Sequence, residues 1–408
     1  MQLLSRLVRL VWGADVDRAL RPVLAVGLVS SIASASVSPF LGIWALRHLH
    51  AGETRLSFAY LAGACAAMWV GYAGGHLSDR IGRRPLILAG WGAQALGIPA
   101  LLLVGDRVTL GLALLAILPA VGALGGAADQ AIVADLVAPD RHEAAYAAVR
   151  VASNLGVAIG PPIGGLLLLG GHWSHLWIGT GVLSIAAWAI AFRAIPSRGG
   201  YAPEGPPERG SLGVILRDRP FLLFMASSTL ATMTYIAYET LLPISITTAH
   251  GISPAMWGFL VIVNPIFVTF LQLRLTQAAA GIPAAIKLGI AMPLMGVPFL
   301  LLNVHGSAGV IALVIMLFVI GEMLWVPTSQ AVVAALAPAD IRGAYMGVFG
   351  GTWSVGWAAT PFLGLQVRHA YGDATMWMCV ATVGVIAGIT GLLAARGHDG
   401  EAVGSLAT

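Results

Sequence analysis

Twelve runs of roughly twenty apolar residues, each bounded by charged residues, glycine or proline, occupy most of this 408-residue chain. They fall at 22–46, 57–77, 86–104, 108–137, 144–169, 174–192, 221–247, 255–277, 283–303, 309–336, 343–366 and 375–395. A run of that length matches the hydrocarbon thickness of a bilayer. There a backbone must satisfy its own hydrogen bonds, so each run is predicted to be a spanning α-helix. Only 10% of the residues are charged, against roughly 25% in a soluble domain. The expected fold class is therefore an all-α integral membrane protein.

Alternating the connections puts seventeen arginines on one side and only Arg47, Arg55, Arg107 and Arg368 on the other. Basic residues accumulate on the cytoplasmic side, which predicts both termini there, in a cell (inner) membrane. The net charge of +4 thus reflects topology. The basic residues are scattered among loops and form no stripe for nucleic acid. No cleavable signal is expected before the first run, and the basic amphipathic piece Leu4–Leu10 is expected on the inner membrane face. Cys65 and Cys379 both lie in apolar runs without CxxC spacing, so neither a disulfide framework nor a metal site is expected. The single lysine, Lys287, has no Walker loop around it, and the histidines fall mostly in loops without a metal-ligand cluster. An ATP-driven pump and a membrane enzyme are both disfavoured, and no cofactor is expected.

The longest polar stretch, Arg193 to Arg219, carries Pro196, Pro203, Pro206 and Pro207 and reads as a flexible linker. It divides the chain into an N-terminal six-helix bundle (1–192), a cytoplasmic linker (193–220), a C-terminal six-helix bundle (221–395) and a tail (396–408). An internal repeat supports the division. Ala131-Ile132-Val133-Ala134-Asp135-Leu136 returns 200 residues later as Ala331-Val332-Val333-Ala334-Ala335-Leu336. At an offset of 199, Ala145-Tyr146 returns as Ala344-Tyr345, Pro162 as Pro361 and Gly165 as Gly364. Two homologous bundles related by pseudo-two-fold symmetry follow from this, and a monomer is expected.

Between the second and third runs, Gly75 to Arg84 reads Gly-His-Leu-Ser-Asp-Arg-Ile-Gly-Arg-Arg. Charges are costly inside a bilayer, so this decapeptide is expected as a tight turn at the membrane surface. Asp79 and Arg83 are within ion-pair reach if the helix continues through them. The decapeptide resembles the loop signature of the major facilitator superfamily, Gly-x-Leu-Ser-Asp-Arg-x-Gly-Arg-Arg, at every defined position. The resemblance implies the major facilitator fold and a secondary transporter working by alternating access. It also implies a conformational gate of Asp79, Arg80, Arg83 and Asp135, braced against the start of span eleven near Gly343. The second-half counterpart, Gln272 to Gln277, lacks the acid.

Span five carries Gly156-x-x-x-Gly160-Pro161-Pro162-x-Gly164-Gly165. On the residues alone this is a smooth face for close helix packing with freed backbone carbonyls at the prolines. Its spacing is similar to the antiporter motif of the drug:proton antiporter branch with twelve transmembrane helices (multidrug efflux type). Gly156, Gly160, Pro161, Gly164 and Gly165 are its packing residues, with Gly160 expected against span eight. The usual arginine of span four is replaced by Leu118, and span one has no acid between Pro22 and Trp44.

Of the 18 acidic residues, four fall within spans: Asp129, Asp135, Glu239 and Glu322. An intramembrane carboxylate is a functional candidate by default. Glu322, near the middle of span ten, Asp129 and Glu239 are the candidates for proton coupling or substrate binding. Each can also be a satisfied structural acid, and Arg150 could neutralise Asp129. Glu239 is expected in the outer half of span seven, facing a vestibule. Tyr235, Tyr238, Asn264, Trp325, Trp353 and Trp357 are the candidate cavity lining, and Asn264-Pro265 predicts a kink in span eight. Each aromatic singly reads as packing; together with acids they suit lipophilic or cationic compounds. The expected function is export of such compounds by proton antiport, with a small-molecule substrate, protons and the bilayer as partners. The alternative is export of one metabolite, such as a sugar.

Overall fold

Residues 18–138, 141–196, 211–338 and 341–404 are described by the computed structural model. The amphipathic piece at 4–10, residues 197–210 of the expected linker and the last four residues of the tail lie outside the described residues. Among the described residues all regular structure is helical.

Twelve helical segments fall where the apolar runs predict them. The first half holds α1 (Arg21–Arg47), α2 (Glu53–Ile81), α3 (Arg83–Ala100), α4 (Val108–Leu136), α5 (His142–Leu167) and α6 (Trp173–Ala194). After a short helix, Ser211–Ile215, come α7 (Arg219–Thr248), α8a (Pro254–Leu260) with α8b (Val263–Ala278), and α9 (Ala284–Gly296). The last three are α10 (Ala308–Leu336), α11 (Arg342–Tyr371) and α12 (Asp373–Gly404). Ten of these are long and apolar enough to cross a membrane by themselves, α8a and α8b together counting as one. The other two, α5 and α11, correspond to each other in the repeat. The chain is a multi-pass membrane protein.

Local chemistry sets the ends. Pro22 opens α1 and Pro220 opens α7, where a missing N–H costs nothing. Asp218 caps α7 by accepting from the Phe221 N–H at 3.0 Å. Two junctions consist of one residue each: Gly82 between α2 and α3 at φ 92, and Gly372 between α11 and α12 at φ 88. An L side chain rarely adopts that conformation, so glycine is what permits a helix to stop and restart within one residue.

The described residues form two compact units. One contains α1–α6 together with Ser253–Phe259, and the other contains α7 through Ile252 and everything from Leu260 onward. In the first, α1 packs on α5 and α6, α2 on α4, and α3 on α4 and α6. In the second, α7 packs on α11 and α12, α8b on α10, and α9 on α10 and α12. The pairings repeat with a shift of six helices, which is the sequence repeat expressed as packing. Large side chains left outward, such as Trp69, Leu96 and Phe270, suit a surface solvated by lipid tails rather than water.

Candidate functional site

Within the second unit, helical spacing brings most of the candidate residues together. On α7, Tyr235 and Glu239 lie four residues apart and Tyr238 three from Tyr235, so the three share a face. On α10, Phe318, Glu322 and Trp325 lie four and then three residues apart and likewise share a face. Asn264, in the first turn of α8b, donates its Nδ2 to Glu322 Oε2 at 2.7 Å. The same carboxyl interacts with the Tyr235 hydroxyl and has Glu239 as a neighbour. Tyr238 interacts with Glu239, Glu322 and Asn264.

Aromatic rings wall this group. Tyr235 meets Trp353 of α11 edge-on at 5.0 Å and lies 6.2 Å from Trp325, which is 6.1 Å from Trp353. Tyr238 stacks on Phe318 at 4.4 Å. Tyr238 and Trp325 are fully buried, whereas Tyr235, Glu239, Asn264, Glu322 and Trp353 are half-buried. Trp357 departs from the expectation. It is 42% exposed and takes part in no ring contact among the described residues, so it is not part of the aromatic group around Glu322. Glu239, on the same face of α7 as Tyr235, joins the group around Glu322.

Neither acid has a basic partner among the described residues, so each must be neutral or meet a cation from elsewhere. In the first unit, Asp129 on α4 lies beside the indole of Trp91. The expected partner Arg150 is exposed and forms no ion pair with it.

At the α2–α3 junction the first unit holds a different arrangement. Helix α2 stops at Ile81 and Gly82 breaks the helix, so Asp79 and Arg83 do not share the continuous helix on which their pairing was expected from sequence. Arg83 begins α3 instead. Its Nε donates to Asp135 Oδ2 at 3.0 Å and its Nη1 to Ser78 Oγ at 2.6 Å. Arg80 is exposed, and the side chain of Asp79 lies outside the described residues. Arg84 turns away to the end of α6, donating to the Phe192 carbonyl at 2.6 Å with its guanidinium 5.5 Å over that ring.

The glycine stripe of α5 packs on α1. A methyl group at Gly156 would lie 2.8 Å from the Leu28 carbonyl oxygen, and one at Gly160 would lie 2.8 Å from the Ser36 nitrogen. Gly164 faces Ser36 and Phe40. The expected contact of Gly160 with span eight is therefore misplaced by a turn. Gly165 makes it: a methyl on Gly258 of α8a would fall 2.6 Å from the Pro161 carbonyl oxygen and 2.7 Å from Gly165 Cα.

Sequence reasoning missed a cluster at the α11–α12 junction. Asp373 accepts from Arg368 Nε and from Ser245 Oγ, each at 2.6 Å, and from Trp377 Nε1 at 3.2 Å. Arg368 Nη2 also donates to Thr248 Oγ1 at 2.7 Å. The available signal was an arginine, a glycine and an acid within six residues, which resembles any membrane loop.

The family profile described as Major Facilitator Superfamily matches residues 23–361. The multidrug resistance protein MdtH of Proteus mirabilis (strain HI4320) is 26% identical over 312 residues, 76% of this chain and 77% of that protein. The protein of the same name from Klebsiella pneumoniae (strain 342) is 26% identical over 334 residues, covering 78% and 79%. Among solved structures, a POT family transporter in complex with 5-aminolevulinic acid aligns with a TM-score of 0.75 at 16% identity, over 93% of this chain and 96% of that one.

Proposed function

Because the chain belongs to the major facilitator superfamily, we propose that it exports small lipophilic or cationic compounds by proton antiport, using alternating access of two six-helix bundles. The proposal places it as a monomer in the cell (inner) membrane with both termini cytoplasmic. The relatives described as multidrug resistance proteins support export of such compounds. The observation that carries the reading is the group Glu322, Asn264, Tyr235 and Glu239, walled by aromatic rings.

Two carboxyls without a basic partner among the described residues, in a weakly polar surround, strongly favour neutralisation. A proton can supply it, and so can a cation resting on the aromatic faces of Tyr235, Trp325 and Trp353. One carboxyl cannot hold both at once. Proton and substrate therefore weaken each other's binding reciprocally, which is the thermodynamic requirement of antiport. The absence of an arginine at Leu118 and of acids in span one is consistent with coupling that resides in the second half.

The test is transport in proteoliposomes under an imposed pH gradient, with lipophilic cations, neutral lipophiles and sugars as cargo. The gradient is expected to drive the first two classes. Glu322→Gln is expected to reduce gradient-driven transport to background while leaving membrane insertion intact. Undiminished transport in that variant removes Glu322 from the mechanism and turns attention to Asp129. Transport of sugars alone would replace the drug reading with the metabolite one.

A further inference from the structure

Span eight is built in two pieces, α8a and α8b, joined by Val261 and Ile262 in a turn. The cause is Pro265. A continuous helix would return the N–H of residue 265 to the Val261 carbonyl, and proline has no N–H and crowds that carbonyl. Val261 O accepts instead from the Asn264 N–H at 3.2 Å, a tighter turn that opens the helix.

The interruption coincides with a change of allegiance. Residues Ser253–Phe259 group with the first unit, where Gly258 lies against Pro161 and Gly165 of α5. From Leu260 onward the chain groups with the second unit. There α8b is tied to α10 by two side chains: Asn264 to Glu322, and Gln272 Nε2 to the Met323 carbonyl at 3.0 Å. The first residue after the turn with a polar side chain is thus the one that grips the acid.

We propose that the interruption in span eight is a hinge set by the charge on Glu322, with Asn264 as the positioning residue that transmits it. The inference rests on the reading of Glu322 as the proton- or cation-binding group. An ionised carboxylate accepts the Asn264 amide in a charge-assisted bond, roughly twice as strong as a neutral one. That bond holds the first turn of α8b on α10. When the carboxyl takes up a proton or a cation, the bond weakens and the angle between α8a and α8b is released. The other titratable groups facing this carboxyl are Tyr235, Tyr238 and Glu239, all on α7.

The test uses the full chain in lipid nanodiscs with Cys65 and Cys379 replaced by serine. Spin labels go on Met256 of α8a and Phe270 of α8b, both exposed. A straight helix would hold those positions about 21 Å apart. The distance distribution is expected to shift by several ångströms between alkaline and mildly acidic pH. Glu322→Gln is expected to show the acidic distribution at every pH, and Asn264→Leu to abolish the pH response. Glu239→Gln should retain the response, and Pro265→Ala should give one narrow, pH-independent distance. A distribution that ignores pH in the parent protein overturns the hinge. So does a response that survives either Asn264→Leu or Glu322→Gln. The transport assay separates this from the antiport reading: gradient-driven export that survives Glu322→Gln, with the distance nevertheless locked, discards antiport through Glu322 and leaves the hinge standing.

Discussion

Two junctions in this protein are built alike and charged oppositely. At each, one glycine near φ +90 joins two helices, Gly82 between α2 and α3 and Gly372 between α11 and α12. At each, an arginine meets an aspartate: Arg83 with Asp135 at 3.0 Å, and Arg368 with Asp373 at 2.6 Å. Exposure is similar, 17% and 17% for the first pair against 10% and 20% for the second. The helix ends differ. Arg83 is the first residue of α3, at the positive pole of its helix, and Asp135 is one residue from the end of α4, at the negative pole. Each charge is unfavourable where it stands by roughly 0.3–1 kcal/mol. Arg368 lies in the last turn of α11 and Asp373 opens α12, so both charges suit their poles. The first pair is held together by mutual need, and the second would be comfortable apart. A contact that must be made in one state and broken in another suits the first design, and a permanent brace suits the second.

The largest expected effect comes from separating the partners of the first pair. Asp135→Asn or Arg83→Gln leaves the remaining charge partly buried at the wrong pole. Turnover is expected to fall on the order of tenfold, equivalent to about 1.4 kcal/mol. Labelling of single cysteines placed near the α2–α3 junction is expected to rise as that end opens more often. The exchange Arg83→Asp with Asp135→Arg restores the pair and also suits both helix poles. It should bring labelling and turnover back toward the parent level, below and above the two single variants respectively. Equal labelling in all three variants would make the pair a structural contact and end the contrast with the second junction.

A smaller effect is expected from the glycines, and it sharpens the contrast because the backbone cost is the same at both sites. Gly82→Ala and Gly372→Ala each force a left-handed conformation on an L residue, at about 1–3 kcal/mol. Thermal unfolding in detergent should show comparable losses in Tm. Transport by the surviving folded fraction should suffer at Gly82 only, where the backbone positions Arg83 for Asp135. Equal transport defects would mean that the α11–α12 junction also moves.

Much of this was legible in the chain because the bilayer leaves so few options. Twelve apolar runs must be twelve helices, and the decapeptide at Gly75–Arg84 names Arg83 and Asp135 as partners through family resemblance. The geometry of that contact was not legible, since Gly82 could have continued the helix or broken it and only the packed structure decides. The stripe Gly156, Gly160 and Gly164 announces close packing without saying on what. A glycine face fits any smooth neighbour, and here it is α1. Glu322 was identified by depth, but its bond from Asn264 spans 58 residues and no local spacing encodes it. The Asp373 cluster was missed for the same reason, as Ser245 lies 128 residues away.

The smallest expected effect is at the second pair, and its smallness is the point. Arg368→Gln removes the charge from the end of α11 but leaves Asp373 at the positive pole of α12, still accepting from Ser245 and Trp377. No charge is stranded at an unfavourable pole. The loss should be near the roughly 0–1 kcal/mol of a partly exposed ion pair, with turnover within about twofold of the parent. A double-mutant cycle on Arg368→Gln and Asp373→Asn should therefore give a smaller coupling energy than the matching cycle on Arg83→Gln and Asp135→Asn. Measured by thermal unfolding and by turnover in the same seven proteins, the two cycles place both pairs on one scale. Equal couplings would show that the helix poles do not set the difference, and the distinction between a contact made to break and one made to stay would fall.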